Sequence, residues 1–186
     1  MFKQFNDMTT TTQTAWTIDT AHSEIGFKVR HLVISHVSGK FQNFEAGVLS
    51  NGDSFANGSV EFSADVNSIT TGNEQRDGHL KSDDFFNAAQ FPKLTFRSTV
   101  ITSTASGYRM DGDLTIRDIT KPISLNIEFG GIVTDPWGNV KAGFEATGKI
   151  NRKDFNLKWD AFTEAGGAVV SDEVTLNLHV ELQKTV

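Results

Sequence analysis

The side chains whose type and spacing suggest chemistry are His22, His31, His36, Arg76, His79 and Arg152. Histidine changes charge near neutral pH, so it serves as a general acid or base, a metal ligand or a polar contact for a ligand. His31 and His36 (HLVISH) suggest a metal pair. Their odd separation puts them on opposite faces of a strand, so they converge only where the strand ends between them. Arg76, His79 and Leu80 lie three and four apart and share one helix face. Such a face can lid a barrel with its polar edge at the mouth; helix capping and surface ion pairs fit the same spacing. Arg152, in Asn151-Arg-Lys-Asp154, can bind an anionic group, and a structural ion pair is the plainer role. The sequence lacks G-x-S-x-G, H-E-x-x-H, S-x-x-K and a P-loop. There is no cysteine, which excludes thiol catalysis, disulfides and zinc–thiolate sites. No catalytic residue, metal or cofactor is therefore assigned.

The elements that must position these groups alternate apolar and polar residues one for one, the period of a half-buried strand. In the clearest, Val174, Leu176, Leu178, Val180 and Leu182 alternate with Glu173, Thr175, Asn177, His179 and Glu181. In another, Ile25, Phe27, Val29, His31 and Val33 share a face, which makes His31 a polar group on an apolar side that needs a partner. A bond to a backbone carbonyl or contact with a ligand head group would each supply one. Seven such stretches, a less regular one near Gly39–Leu49 and short turns predict an all-β fold, an eight-stranded antiparallel barrel of the up-and-down kind. Between the third and fourth, Thr71-Gly-Asn-Glu74 reads as a capping box opening a short helix over about Asn73–Ser82.

There are 15 phenylalanines against one tyrosine. Phe27, Phe62, Phe96 and Phe144 fall on inward faces, beside small residues such as Ala64, Gly112, Ala146 and Gly148. Small residues beside rings either leave space in a barrel or let another element pack close; periodicity does not separate the two.

The formal net charge of −6 makes nucleic acid a poor partner, because phosphate binding needs a basic stripe. Residues 1–14 (MFKQFNDMTTTTQT) read as a flexible polar segment ahead of one domain over 15–186. The early Lys3, Gln4, Asn6 and Asp7 break the apolar run of a signal peptide, so a cytoplasmic location is expected for the chain as given. Met1 and Met8 both fit as a start.

Several ordered blocks carry a resemblance: Trp16-Thr-Ile-Asp19 with His22-Ser23, Val29-Arg30-His31, Gly39-Lys-Phe41, Arg76-Asp77 with His79-Leu80, Asp84-Phe85-Phe86-Asn87, Gly112 to Pro122, and Asn151-Arg-Lys-Asp-Phe155 with Trp159. Over about Ala15 to Gln183 the chain resembles the YceI-like family. The resemblance implies a lipocalin-like barrel that binds, carries or stores a long isoprenoid lipid, of the quinone or polyprenyl phosphate type, without catalysis. It would place Phe27, Val29, Phe62, Phe85, Phe86, Phe96, Leu114, Phe144, Trp159 and Phe162 around the lipid in the lumen. His22, His31, Arg76 and His79 occupy family motif positions and are the candidates for its head group. Family members are often periplasmic and often homodimers, and a lipid carrier implies transient membrane contact for exchange. A stress-related interaction module with a filled barrel, or a lipid-modifying enzyme using a rim histidine, are the alternatives.

Overall fold

The computed structural model describes residues 13–164, 166–167 and 169–185. The chain runs β1 (Gln13–Ile18), β2 (Glu24–His31), β3 (Ser35–Phe41), β4 (Phe44–Asn51), β5 (Ser54–Asp65), β6 (Ile69–Thr70), α1 (Glu74–Lys81), β7 (Lys93–Ser103), β8 (Gly107–Ile116), β9 (Ile119–Thr134), β10 (Val140–Asn151) and β11 (Val170–Lys184). Every strand pairing is antiparallel, and β1 closes the ring by pairing with both β4 and β11. β1 meets β11 near its C-terminal end (Ile18 opposite Leu182), while β2 meets it further back (Phe27 opposite Leu176). β4 and β3 pair with β1 and β2 in the same order. β1 and β2 are thus two halves of one wall position, and β3 and β4 of the next. That leaves eight positions round a closed antiparallel barrel, as the alternation predicts. The breaks explain why the chain carries more strands than alternating stretches.

The sequence reading missed β1. Trp16 is 1% exposed there, and its indole N–H donates to Ser50 Oγ at 2.8 Å. The strand starts at Gln13, inside the segment read as a polar tail; residues 1–12 lie outside the described residues. Trp16 belongs to a cluster with Phe55, Tyr108, Phe129 and Phe144 that packs one end of the barrel. Phe55 is its hub, with ring centroids 5.3 Å from Trp16 and 4.9 Å from Phe144.

The wall parts on one side. β4 continues into a long pairing with β5, but among the described residues the free edge of β3 meets only the two residues of β6. α1 and the segment after it stand at this gap, and Phe86 lies 6.1 Å edge-on from Phe41 of β3. The helix is capped differently from the sequence expectation. Asn73 is the cap, its side chain accepting the Arg76 N–H at 2.9 Å, while Thr71 Oγ1 donates to Asp77 at 2.6 Å. Asn is as good a cap as Thr, so the helix survives a cap displaced by two positions.

The small inward residues seat the rings of neighbouring strands. A Cβ on Gly112 would lie 2.3 Å from Phe96 Cζ and 2.6 Å from the Arg97 carbonyl oxygen. A Cβ on Gly39 would lie 2.4 Å from Phe27 Cζ. These glycines let the rings lie flat along the wall. Gly112→Ala is expected to lower stability by about 1–3 kcal/mol, the usual cost of overpacking where backbone must move, read as a lower urea midpoint.

The β2–β3 turn is unusual. Leu32 and Val33 both have positive φ, 51° and 66°. The loop has three residues, Leu32–Ile34, between the paired His31 and Ser35, and consecutive positive-φ positions in a tight turn favour Asn and Gly. A β-branched residue at positive φ is a real outlier, and such strain costs on the order of 1–3 kcal/mol per residue.

Candidate functional site: an apolar lumen

The alternating strands send one face of each inward, and these faces do not meet. They enclose a cavity of about 250 Å³, lined from every wall position and from the segment after α1. The lining is almost wholly apolar. A water molecule there would find too few polar partners, so an apolar occupant is favoured over solvent.

Phe27, Val29, Phe62, Phe85, Phe86, Phe96, Leu114 and Phe144 line this cavity. Trp159 stands just behind the lining, 5.7 Å from Phe85 and 5.0 Å edge-on from His79. Phe162 does not face the lumen: it is 68% exposed, in the loop before β11. The assignment failed there because that loop has no strand period to orient a side chain. Several lining residues were absent from the sequence list, including Leu176 and Leu178 of β11, Ile123 and Ile127 of β9, and Met110. Their alternation with polar neighbours was the available signal.

The polar candidates do not gather at the lumen. His22 Nδ1 lies 3.0 Å from Asp19, near the end of β1. Arg76 is spent on Thr71, donating from Nε to Oγ1 at 2.7 Å and from Nη2 to the carbonyl oxygen at 3.0 Å. His79 Nε2 is 2.9 Å from Asp84, and its ring meets Phe85 of the lining edge-on at 5.1 Å. His31 is half-buried at the base of the β2–β3 turn and outside the lining. His36 lies opposite Arg30, and His31 opposite Ser35, so the two histidines do occupy opposite faces.

The charged side chain that does reach the lining is Arg152, only 3% exposed. Nη1 donates to the carbonyl oxygens of Leu157 (2.5 Å) and Trp159 (2.8 Å), and Nε to that of Ser171 (3.0 Å). Nη2 is 2.7 Å from Asp160 and 3.4 Å from Asp172. The guanidinium is a structural tie between the end of β10, the loop after it and the start of β11, the plainer of its two sequence roles. Lys153 bridges the same two aspartates at 2.9 and 3.0 Å, and the pair of cations holds the Asp160 carboxyl below the usual range.

Asp19, His22 and Glu181 form a cluster of metal-ligating types. Its cation position is filled by the Lys141 ammonium, 2.5 Å from Asp19 and 3.2 Å from Glu181. The bond from Lys141 holds the Asp19 pKa down to about 2. A carboxylate with a depressed folded pKa contributes stability above its unfolded value near 3.9, and that contribution fades as pH falls through the folded value. The part-buried pair should therefore contribute about 1–2 kcal/mol above pH 4, lost between about pH 4 and 2. Asp19→Asn should remove it and flatten the unfolding midpoint across that window. An unchanged pH profile would show the pair to be solvated.

The whole arrangement is matched by known proteins. Residues 16–182 match the YceI-like domain. The chain belongs to the YceI-like family. UPF0312 proteins of Photorhabdus laumondii and Yersinia enterocolitica are 40% and 39% identical to it, over 139 and 160 residues. Those alignments cover 75% and 86% of this chain and 72% and 80% of the relatives. The YceI protein of Campylobacter jejuni superposes with a TM-score of 0.71 at 32% identity, covering 90% of this chain and 96% of that one. A polyisoprenoid-binding domain from Saccharophagus degradans, implicated in plant cell wall breakdown, shares the fold at a TM-score of 0.63 and 17% identity, covering 91% of this chain and 98% of its own. The barrel is thus shared with proteins of widely different sequence.

Proposed function

We propose that the protein binds the apolar tail of an isoprenoid lipid inside the barrel and carries or stores it without transforming it. The observation that carries this reading is the lumen itself: about 250 Å³ bounded almost entirely by hydrocarbon. Likeness in fold to a polyisoprenoid-binding domain supports the class of ligand. A non-catalytic role is supported by the lining, which offers a branched chain many methyl-sized contacts and no free acid, base or nucleophile among the described residues. Arg152, its one charged member, already donates to three carbonyl oxygens.

Magnitudes favour exchange over permanent capture. A tail of about forty carbons, if wholly buried, would represent about 30 kcal/mol of gross transfer at roughly 0.8 kcal/mol per carbon group, above the practical ceiling of about 18–21 kcal/mol for any non-covalent complex. A lumen of about 250 Å³ takes only part of such a tail, ordering that part has its own cost, and a bilayer competes for the same surface far better than water does.

The test is direct uptake. The protein is titrated with a short-chain ubiquinone and with a polyprenol, the quinone followed by quenching of tryptophan fluorescence and both by native mass spectrometry. Trp159 packs against Phe85 of the lining, so an occupying quinone ring or tail should alter its emission. Saturable one-to-one uptake is expected; a protein that takes up neither contradicts the reading.

A further inference from the structure

The turn at Leu32–Ile34 carries two costs that the isolated molecule does not recover. It holds leucine and valine at positive φ, where Asn and Gly would fit without strain. It also presents apolar side chains to water, Val33 being 61% and Ile34 86% exposed. Phe162, 68% exposed, is tied beside them: the Leu32 N–H donates to the Val169 carbonyl oxygen, and the Val169 N–H to that of Ala161, both at 2.9 Å. The patch is continuous with the lumen. Val29 and Val170 line the cavity, and Val170 pairs with His31 at the foot of the turn.

The hairpin bearing this tip is basic. Lys28 and Arg30 stand below the tip with no ion pair among the described residues, and His36 lies opposite Arg30; Lys40 is at the far end of the hairpin, paired with Glu24 at 2.8 Å. An apolar tip with a basic collar suits an anionic bilayer, where the side chains enter the acyl boundary and the cations meet head groups. The surface is small for a second protein chain. A stable pairing buries about 1,200–2,000 Å² in all, which a hairpin tip and one phenylalanine do not supply. We propose that Leu32, Val33, Ile34 and Phe162 form a membrane-docking tip that sets the lumen against an anionic lipid surface. This rests on the lipid-carrier reading and names where the cargo would cross.

The test is co-flotation with vesicles of phosphatidylglycerol and phosphatidylethanolamine, beside vesicles of phosphatidylcholine alone. The wild type should bind the anionic vesicles, more weakly as salt rises. Leu32→Asn with Val33→Gly should raise the thermal midpoint by about 2–4 °C, as strain relief in a chain of this size would, and lower vesicle binding at least tenfold. Ile34→Asp, at an exposed position, should lower binding without altering the midpoint. Uptake of a short-chain quinone from vesicle-free solution should be unchanged in both variants, so that a failure of docking is told apart from a failure of the carrier reading. Wild-type indifference to anionic vesicles would overturn the proposal. So would variants that bind vesicles as before, or variants whose sole change is weaker self-association by sedimentation, which would make the tip a contact between copies.

Discussion

Arg152→Met is expected to destabilise the barrel by about 3–5 kcal/mol, the usual range when one partner of a buried ionic network is removed. The guanidinium is 3% exposed and donates to the carbonyl oxygens of Leu157, Trp159 and Ser171. Methionine fills similar volume but leaves these acceptors without a donor, and Asp160 and Asp172 with Lys153 alone. The loss should appear as a lower urea midpoint at unchanged slope. Arg152→Lys should recover only part of it, because an ammonium cannot reproduce the fork. A loss below about 1 kcal/mol would mean that water replaces the guanidinium, and that the loop before β11 is not held from the lumen side.

The second large effect concerns cargo. Ala146→Phe should reduce quinone or polyprenol uptake at least tenfold with little loss of stability. Ala146 lies on β10 opposite Ile127 and Leu178, and all three line the cavity. A ring placed there occupies space the ligand needs. Its overpacking cost of about 1–3 kcal/mol is offset where it fills void. Phe144 is a poorer place for the same test, since it stacks on Phe129 at 5.2 Å and meets Phe55 at 4.9 Å, so enlarging it disturbs the packed end. Uptake unchanged in Ala146→Phe, with the fold intact, would place the ligand elsewhere.

The strands were legible because a half-buried strand writes its two faces directly into the sequence. β11 shows this best, with Val174 to Leu182 alternating without a break. Closure was less legible. β1 escaped because its alternation is short and polar residues precede it, and the pairing of β1 with both β4 and β11 is a long-range fact that no local period encodes. The rings of the lumen were largely readable for the same reason as the strands: Phe27, Phe62, Phe96 and Phe144 sit in register with aliphatic neighbours. Phe162 was not, because a loop side chain takes its direction from tertiary contacts. The polar residues were least readable. His22, Arg76 and His79 are each satisfied within a few residues along the chain, by Asp19, Thr71 and Asp84. Arg152 reaches carbonyl groups up to 19 residues away, so its burial could not be read from its own neighbourhood. The contest between empty space and close packing at the small inward residues had two answers: Gly112 seats a ring, while Ala146 faces the cavity.

The most direct test of the central claim is the cargo itself. Protein purified gently from its own host, without added lipid, is examined intact by native mass spectrometry and, after organic extraction, by lipid mass spectrometry. A stoichiometric isoprenoid, present in the wild type and depleted in Ala146→Phe, is the predicted result. An empty protein that also fails to take up quinone or polyprenol would contradict the account and leave the lumen as packing space within a scaffold.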